Sequence, residues 1–359
     1  MPANIFFDAK VLGDFKMKFI ELEKIYRQKD TGFINLLNAI RNNSITEEEL
    51  ENINQRHNPD FECCSDDFYI YLTPTNAASQ EINEKKLREL DGKLYHYEGL
   101  IGGNFDMKYL PTDINLNLKV GAQVMMLNND ARKRWVNGTI GKIVKIKKDK
   151  DLEMDVIFVE FADGEVEEVV PYTWDIYDFY FDKAKGHIES SSIGSFTQYP
   201  MKLAWSVTIH KSQGKTFDKV VLDIGRGTFA HGQMYVALSR CTSLEGIVLK
   251  KKILKQHIWM DYRVVKFVTR FQYDISEKAM SLEDKIEMIE DAIAGNKKLA
   301  ITYLKANDIK SKRTILPREI GEMEFMNKTF IGVSGMCLER GEGRTFRVDR
   351  ILEMKILGE

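Results

Sequence analysis

Val220-Val221-Leu222-Asp223-Ile224, then Thr228 to Ser239, then Gly246-Ile247-Val248-Leu249 read as strand, helix and strand in close succession. A helix read from the spacing of Leu203, Ala204 and Val207 begins after Tyr199-Pro200 and ends near Gly214. Helix, strand, helix, strand at such short intervals is the rhythm of a parallel α/β sheet. Toward the N-terminus, Glu21 to Arg41 reads as a strand that passes through Tyr26-Arg27-Gln28 into an amphipathic helix marked by Phe33, Leu36, Leu37 and Ile40. Phe68 to Leu72 is a short apolar strand, and Thr73-Pro74-Thr75-Asn76 a turn that caps a helix running to about Leu90. The glycine-rich stretch from Tyr95 to Pro111 reads as a loop.

Between these halves the pattern changes to short strands. Asp155 to Phe161, Asp163-Gly164 and Val166 to Val170 form a hairpin by their turn dipeptide, and Gly138 and Gly141 are expected to break the strands before it. The organisation expected is one α/β domain split over 1–127 and 200–253, interrupted at 128–199 by a small β-barrel. A helical connector over 254–295 and a domain of short strands over 296–359 follow.

Composition narrows the function classes. Lys and Arg number 52 and Asp and Glu 54, a formal net charge of −2, so a nucleic-acid surface here is a local patch and not a uniform basic coat. Charge is blocked: Ala131 to Lys150 carries eight basic residues and one acid, Asp151 to Asp182 no basic residue, and Lys250 to Arg270 one acid, Asp261. Cys63, Cys64, Cys241 and Cys337 form no CxxC pair and no ligand array with the histidines, which fits a reducing compartment and leaves no metal site. Met1 to Leu12 lacks a signal-peptide pattern, and no apolar run approaches the ~18 residues of a membrane span. A cytoplasmic protein with no membrane partner is expected.

Thr208-Ile209-His210-Lys211-Ser212-Gln213-Gly214-Lys215-Thr216 is the densest polar cluster. Gly214-Lys215-Thr216 is not a P-loop: the glycine required five residues earlier is Ile209, and the preceding segment reads as helix where the motif needs a strand. Hydroxyls, an amide and an ammonium side by side suit phosphate oxygens, a polar helix end without a ligand being the alternative. Gln233 to Ser239 is an apolar helix ending in Arg240, which is expected to project from the sheet edge. Arginine carries a permanent charge and a fork matched to phosphate, and serves as a finger on a transferring phosphoryl group. Compensation of the helix dipole is the alternative, and Arg27 shares the ambiguity.

Glu21-Leu22-Glu23-Lys24-Ile25-Tyr26-Arg27-Gln28, Leu72-Thr73-Pro74-Thr75-Asn76, Leu116 to Met125 with Trp135-Val136-Asn137-Gly138, Ala204 to Asp218 and Gly232 to Ser243 stand in the order found in superfamily 1 DNA helicases. The chain most resembles the RecD and petite-integration-frequency (PIF) branch, over roughly 6–265. The resemblance implies a second RecA-like domain with an inserted Src-homology-type barrel, and translocation 5′ to 3′ on single-stranded DNA. It implies that Arg27 and Arg240 reach the ATP γ-phosphate, with Gln28, Gly214 and Lys215 beside the nucleotide. It also implies that Thr73, Asn76, Thr208, His210, Lys211, Ser212 and Gln213 contact the DNA strand. The basic run Arg132, Lys133 and Arg134, with Lys142 and Lys145, is expected to face the DNA path, with the acidic hairpin turned away. The pattern of the first RecA-like domain does not occur in these residues, so ATP and Mg2+ are implied for an intact motor whose other half is supplied in cis or trans. Fragment and standalone gene both stay open.

Leu299 to Tyr303, Arg313 to Pro317 and Arg344 to Ile351 resemble a WYL domain, a small Sm-like barrel, with Phe330-Ile331-Gly332 near the place of the signature tripeptide. On a strand, Arg344 and Arg350 fall on one face and Arg347 on the other. Tyr303, Arg344, Phe346, Arg347 and Arg350 are its candidate ligand or DNA residues, Phe346 by stacking a base. The leading expectation is the motor half of a bacterial, nucleoid-associated, monomeric helicase of DNA repair or recombination. Its rival is a non-enzymatic single-stranded DNA-binding or WYL-type regulatory module.

Overall fold

The computed structural model describes residues 7, 9–13, 26–63, 67–151, 153–183, 185–225, 227–228, 230–305, 310–326 and 328–357. The strand expected just before Tyr26 lies outside them. The described chain falls into two compact units, one formed by 26–37 with 46–258 and the other by 7 and 9–13 with 38–45 and 259 onward.

The first elements are α1 (Thr31–Arg41), α2 (Glu47–Asn54), β1 (Ile70–Thr73), α3 (Asn76–Glu89), β2 (Tyr95–Glu98), β3 (Leu100–Gly103), β4 (Asn115–Leu118) and β5 (Gln123–Met126). There follow β6 (Ile140–Lys148), β7 (Asp155–Phe161), β8 (Val166–Val169), β9 (Tyr172–Asp182), β10 (His187–Gln198), β11 (Met201–Leu203) and β12 (Ser206–Thr208). Then come β13 (Val220–Leu222), α4 (Gln233–Leu238) and β14 (Ile247–Leu249). Last are α5 (Tyr262–Ala279), α6 (Leu282–Ala294), β15 (Lys298–Leu304), β16 (Lys310–Phe325), β17 (Lys328–Cys337), β18 (Glu342–Arg347) and β19 (Ile351–Leu357).

The α/β reading holds. β12, β1, β13 and β14 form, in that order, a four-stranded sheet in which every pair is parallel. Each of these strands is fully buried, as a sheet covered on both faces requires. Burial on both faces also explains a misreading. Residues 201–208 form two strands and not a helix: β11 pairs antiparallel with β5, and β12 parallel with β1. Where both faces are covered, apolar spacing does not separate strand from helix. One of the two arguments against a P-loop therefore falls, because a strand does precede the cluster. The spacing argument stands on Ile209. The helix read over 228–239 is reduced to Gln233–Leu238, entered from Gly232 at φ +69°.

Thr75, one residue before the expected Asn76, caps α3 by accepting from the Ala78 N–H at 3.3 Å. Tyr95 to Pro111 is not simply a loop, since β2 pairs with β4 and β3 with β10. Gly103 permits the second pairing: its φ is +58°, and a Cβ there would lie 2.5 Å from the Ile193 carbonyl oxygen. Gly141 sits inside β6 rather than breaking it, where a Cβ would lie 2.4 Å from Val159 Cγ1. The hairpin of β7 and β8 forms as read. β11, β5, β6, β7 and β8 make a five-stranded antiparallel sheet, and β3, β10 and β9 a second of three strands.

In the other unit, β18, β17, β16, β15 and β19 form one antiparallel sheet. β16 runs for 16 residues, so these strands are not all short. Three strand spacings of about 4.8 Å would hold β18 and β15 roughly 14 Å apart in a flat sheet. Phe346 on β18 instead meets Tyr303 on β15 edge to face, ring centroids 5.2 Å apart, so the sheet curls over its own core. Ile289 and Ala292 of α6 join that core, which places α6 with the sheet. Ser281 starts α6 with a capping box, accepting from the Asp284 N–H while the Asp284 carboxylate accepts from the Ser281 N–H.

Candidate functional site

Two groups of polar residues in the parallel-sheet unit meet the sequence expectations. The first lies at the carboxyl ends of adjacent parallel strands, the usual ligand edge of open α/β sheets. Thr73 at the end of β1 is in register with Thr208 at the end of β12, and the Ile209 N–H donates to the Thr73 carbonyl at 2.9 Å. Two segments far apart in sequence thus present one surface. Its exposed members are Asn76, His210, Lys211 and Gln213. Thr73 and Ser212 are buried, and their hydroxyls donate to the Thr75 and Ile209 carbonyls at 3.2 and 2.6 Å. The buried Thr208 hydroxyl accepts from the Lys211 N–H at 3.3 Å. Thr73, Thr208 and Ser212 therefore shape this surface rather than offer it a side chain.

A cleft of about 680 Å³ opens beside it, lined among others by Asn76, Asn83, Asn117, Lys202, Thr208 and Lys211. Asn83 fixes the wall by exchanging two hydrogen bonds with the Ser206 backbone at 2.9 and 2.8 Å. Burial, and then the charges of Lys211 and Lys215, push the Lys202 ammonium down to about 8, against the opposing pull of Asp113. Nothing in the sequence marks Lys202; only folding brings three lysines within electrostatic reach.

The second group is a hub around Ser239. Arg27 donates from Nε to Thr216 Oγ1 at 2.8 Å and from Nη1 to the Ser239 carbonyl at 2.9 Å. The buried Gln28 amide donates to the Ser239 and Cys241 carbonyls at 3.0 and 2.8 Å. Arg240 does not project from the sheet edge as expected. It is 8% exposed, and donates to the Val236 carbonyl at 2.9 Å, the Lys215 carbonyl at 3.3 Å and Ser239 Oγ at 2.8 Å. A guanidinium has five N–H donors, of which Arg240 uses three and Arg27 two among the described residues. Neither has a carboxylate partner among the described residues. Burial, and then the neighbouring Arg27 charge, lower Arg240 to about 10. Two guanidiniums held together with no carboxylate partner among the described residues suit a multiply charged phosphate.

Gly214, at φ +80° with open space where a Cβ would stand, lies next to Lys215. Lys215 donates to Asn137 Oδ1 at 2.8 Å and packs on Gly138, so the loop after β5 is tied to the hub. Burial lowers the Lys215 ammonium from its ordinary value. Sequence reading missed Thr216, Ser239 and Asn137, because the first two act largely as acceptors that any residue's backbone or a hydroxyl supplies.

The basic run of the insert is not one surface. Arg132 and Lys133 are exposed, but Arg134 is held by Asp130 at 2.6 Å and Glu167 at 3.4 Å, and lies over the Trp135 ring. The Arg134 guanidinium holds the Asp130 carboxyl down to about 2. The expectation that the acidic hairpin turns away from this run fails at Arg134, which bonds Glu167 and the Glu168 carbonyl of β8. Asp130→Ala should accordingly cost folding stability at neutral pH. A depressed carboxyl contributes stability that is present above its unfolded value near 4 and lost as pH falls through about 2; acid titration of the wild type and variant checks this.

In the C-terminal unit, Tyr303, Arg344 and Phe346 line one cavity. Phe346 is 5% exposed and part of the core, so it is not a free stacking platform. Arg350 lies in a 3-10 turn (Val348–Arg350), not on the strand, and donates to the Leu304 carbonyl at 3.5 Å. Arg347 pairs with Asp349 at 2.6 Å and lies over the Phe330 ring. Among the described residues no group of three or more His, Cys, Asp or Glu is placed to hold a metal ion. No helix of the described residues is long and apolar enough to cross a membrane.

Comparison with known proteins agrees with both halves of this picture. Residues 284–356 match the WYL domain family. Over 278 residues, 75% of this chain and 40% of the relative, the sequence is 32% identical to the ATP-dependent DNA helicase PIF1 of Xenopus laevis. The structure resembles that of Bacteroides sp. Pif1 in complex with ADP-AlF4, with TM-score 0.67, 36% identity, and 75% of this chain and 60% of that one covered. It also resembles Bacteroides Pif1 bound to ssDNA, with TM-score 0.53, 36% identity, and coverage of 77% and 60%. The chain thus spans less than half the length of the curated relative. A portion similar to PIF-type helicases is followed by residues that match the WYL domain family.

Proposed function

We propose that this chain is the C-terminal motor half of an ATP-dependent 5′-to-3′ DNA helicase, which grips single-stranded DNA and supplies Arg27 and Arg240 to an ATP site. The domain division is 1–127 with 200–253 as the second RecA-like domain, 128–199 as an inserted barrel, 254–295 as connector and 296–359 as the WYL-like end. The observation that carries the reading is the Arg27–Arg240 pair, two guanidiniums held close together with no carboxylate partner among the described residues. Support comes from the similar Bacteroides proteins, one in complex with ADP-AlF4 and one bound to ssDNA.

In this reading a first RecA-like domain, in cis or trans, holds the remaining phosphates and Mg2+, which neutralises charge at the transferring group. This chain's part is positional. The Thr216 hydroxyl and the Ser239 carbonyl fix Arg27, and three acceptors fix Arg240, so both forks are oriented before negative charge develops. Asn76, His210, Lys211 and Gln213 meet the DNA backbone, where contacts position without reading sequence. Repeated closure and opening of the two domains then moves the grip along the strand.

The purified chain should bind single-stranded DNA and show no DNA-stimulated ATP hydrolysis of its own. Lys211→Ala should weaken binding and reduce the log–log salt slope by about 0.7, the share of one phosphate contact. Fluorescence anisotropy over a salt series checks this, and an unchanged slope removes Lys211 from the interface. Lys202 adds a pH dependence. Its charge is present below about 8 and lost above, so affinity should fall as pH is raised through that value, and Lys202→Met should flatten the profile. Persistence of the same profile in the variant assigns it to another group.

A further inference from the structure

Lys202 stands apart from the other cations near the cleft. It lies on β11, in register with Met125 of β5, and enters the cleft wall half-buried. Lys215 has Asn137 as an acceptor, whereas Lys202 makes no hydrogen bond and no ion pair among the described residues. Asp113, exposed on the same cleft, acts on it only at longer range. Leu87, Ile114 and Leu116 make part of the wall apolar.

A lysine in this setting is a nucleophile as well as a charge. Burial, and then the charges of Lys211 and Lys215, bring it down to about 8. At neutral pH roughly a tenth of it is therefore free amine, about two orders of magnitude more than an exposed lysine supplies. Loss of water and a neighbouring cation are two of the ways in which a lysine is activated toward a carbonyl.

Place decides which carbonyl it meets. Asn76 and Lys211 line the same cleft and belong to the surface read as the strand grip. The volume of about 680 Å³ falls within the roughly 300–1,000 Å³ that encloses a small ligand. An intact nucleotide offers an amine nothing to attack, because its C1′ is bonded to the base and to the ring oxygen. Where the base has been lost, the deoxyribose opens and C1′ becomes an aldehyde. The space that the base has left is then open to the amine.

We propose that Lys202 captures abasic sites in single-stranded DNA as a Schiff base. The free Nζ adds to the C1′ aldehyde, the carbinolamine loses one water, and an imine joins Nζ to C1′. No oxidant or reductant is consumed, and one water restores amine and aldehyde. The Asp113 carboxylate favours the protonated imine as it favours the ammonium. This rests on the reading of the cleft as part of the DNA grip, and adds to it a chemistry that an undamaged strand never meets.

The test uses the full chain with labelled single strands of one sequence. One is undamaged, one carries an aldehydic abasic site, and one carries a tetrahydrofuran there, which has no aldehyde. Fluorescence anisotropy at neutral pH measures binding, and cyanoborohydride reduces any imine to an amine that survives a denaturing gel. A trapped band is expected with the aldehydic strand alone, with the adduct mapped to Lys202 by peptide mass. At protein concentrations that saturate binding, Lys202→Met and Lys202→Arg should each lower the yield about tenfold or more, since an unactivated amine is a weak nucleophile. Lys202→Arg keeps the cation without a free amine, which separates charge from chemistry, and Lys211→Met should keep the band. Circular dichroism verifies the fold of each variant. An adduct undiminished in the Lys202 variants, or mapped to another lysine, overturns the proposal. Binding of all three strands with no trapped band overturns it and leaves the DNA grip standing. No binding of any strand removes the grip and the proposal together.

Discussion

Arg240→Ala, introduced into a motor in which this chain is joined to its P-loop partner domain, lowers DNA-stimulated ATP turnover by about 10³-fold or more, the scale on which an arginine finger acts. Arg240 stays charged at neutral pH even though burial and Arg27 bring it down to about 10. Arg240→Lys is expected to recover little. An ammonium on a flexible stem cannot serve the Val236, Lys215 and Ser239 acceptors and still present an oriented fork. The same variant leaves acceptors unpaired in a buried place, so a loss of roughly 1–3 kcal/mol in stability accompanies it. Steady-state turnover is therefore read alongside a melting curve and single-strand affinity. A folded, DNA-binding Arg240→Ala motor that hydrolyses ATP within a few-fold of wild type removes Arg240 from the nucleotide site.

The second large effect is on folding. Phe346→Ala should destabilise the C-terminal unit by about 3–5 kcal/mol, the range for removing a buried aromatic ring. Phe346 packs with Leu299, Ile301 and Val333 in the core and meets Tyr303 edge to face. Near-UV circular dichroism and a denaturant series follow the loss. A variant as stable as wild type but weaker for DNA would restore Phe346 as a stacking surface. Phe346→Leu keeps most of the apolar volume and is expected to recover part of the stability.

These two residues also mark how far sequence carries. The parallel sheet was legible because Val220–Leu222 and Ile247–Leu249 are short apolar runs separated by a helix, and the Thr73-Pro74-Thr75-Asn76 turn announced α3, although Thr75 and not Asn76 caps it. Residues 201–208 were not, since burial on both faces erases the alternation that distinguishes a strand. Arg27 and Arg240 entered through family resemblance. What holds them is mostly backbone carbonyls, which every residue possesses and no pattern reveals. Phe346 alternates with arginines and so resembles a surface strand. Only the curl of the sheet over its own core turns it inward.

The segment from Thr208 to Thr216 begins at the strand end beside the cleft and finishes at the acceptor of Arg27. Hydrogen bonds from the N–H groups of Ser212, Gln213 and Lys215 to the carbonyls of Thr208, His210 and Ser212 brace it along its length. A braced tether behaves as a pushrod and not as a string: compression at one end arrives at the other, where slack chain would absorb it. Gly214 is the joint in that rod, free of side-chain contact at φ +80°, and Lys215 couples the same rod to the Asn137 loop. In the proposed motor, load on the strand and occupancy of the Ser239 hub would be geared through this one short linkage. A residue that stiffens or jams the Gly214 joint would alter how force and fuel are synchronised, without altering either contact surface.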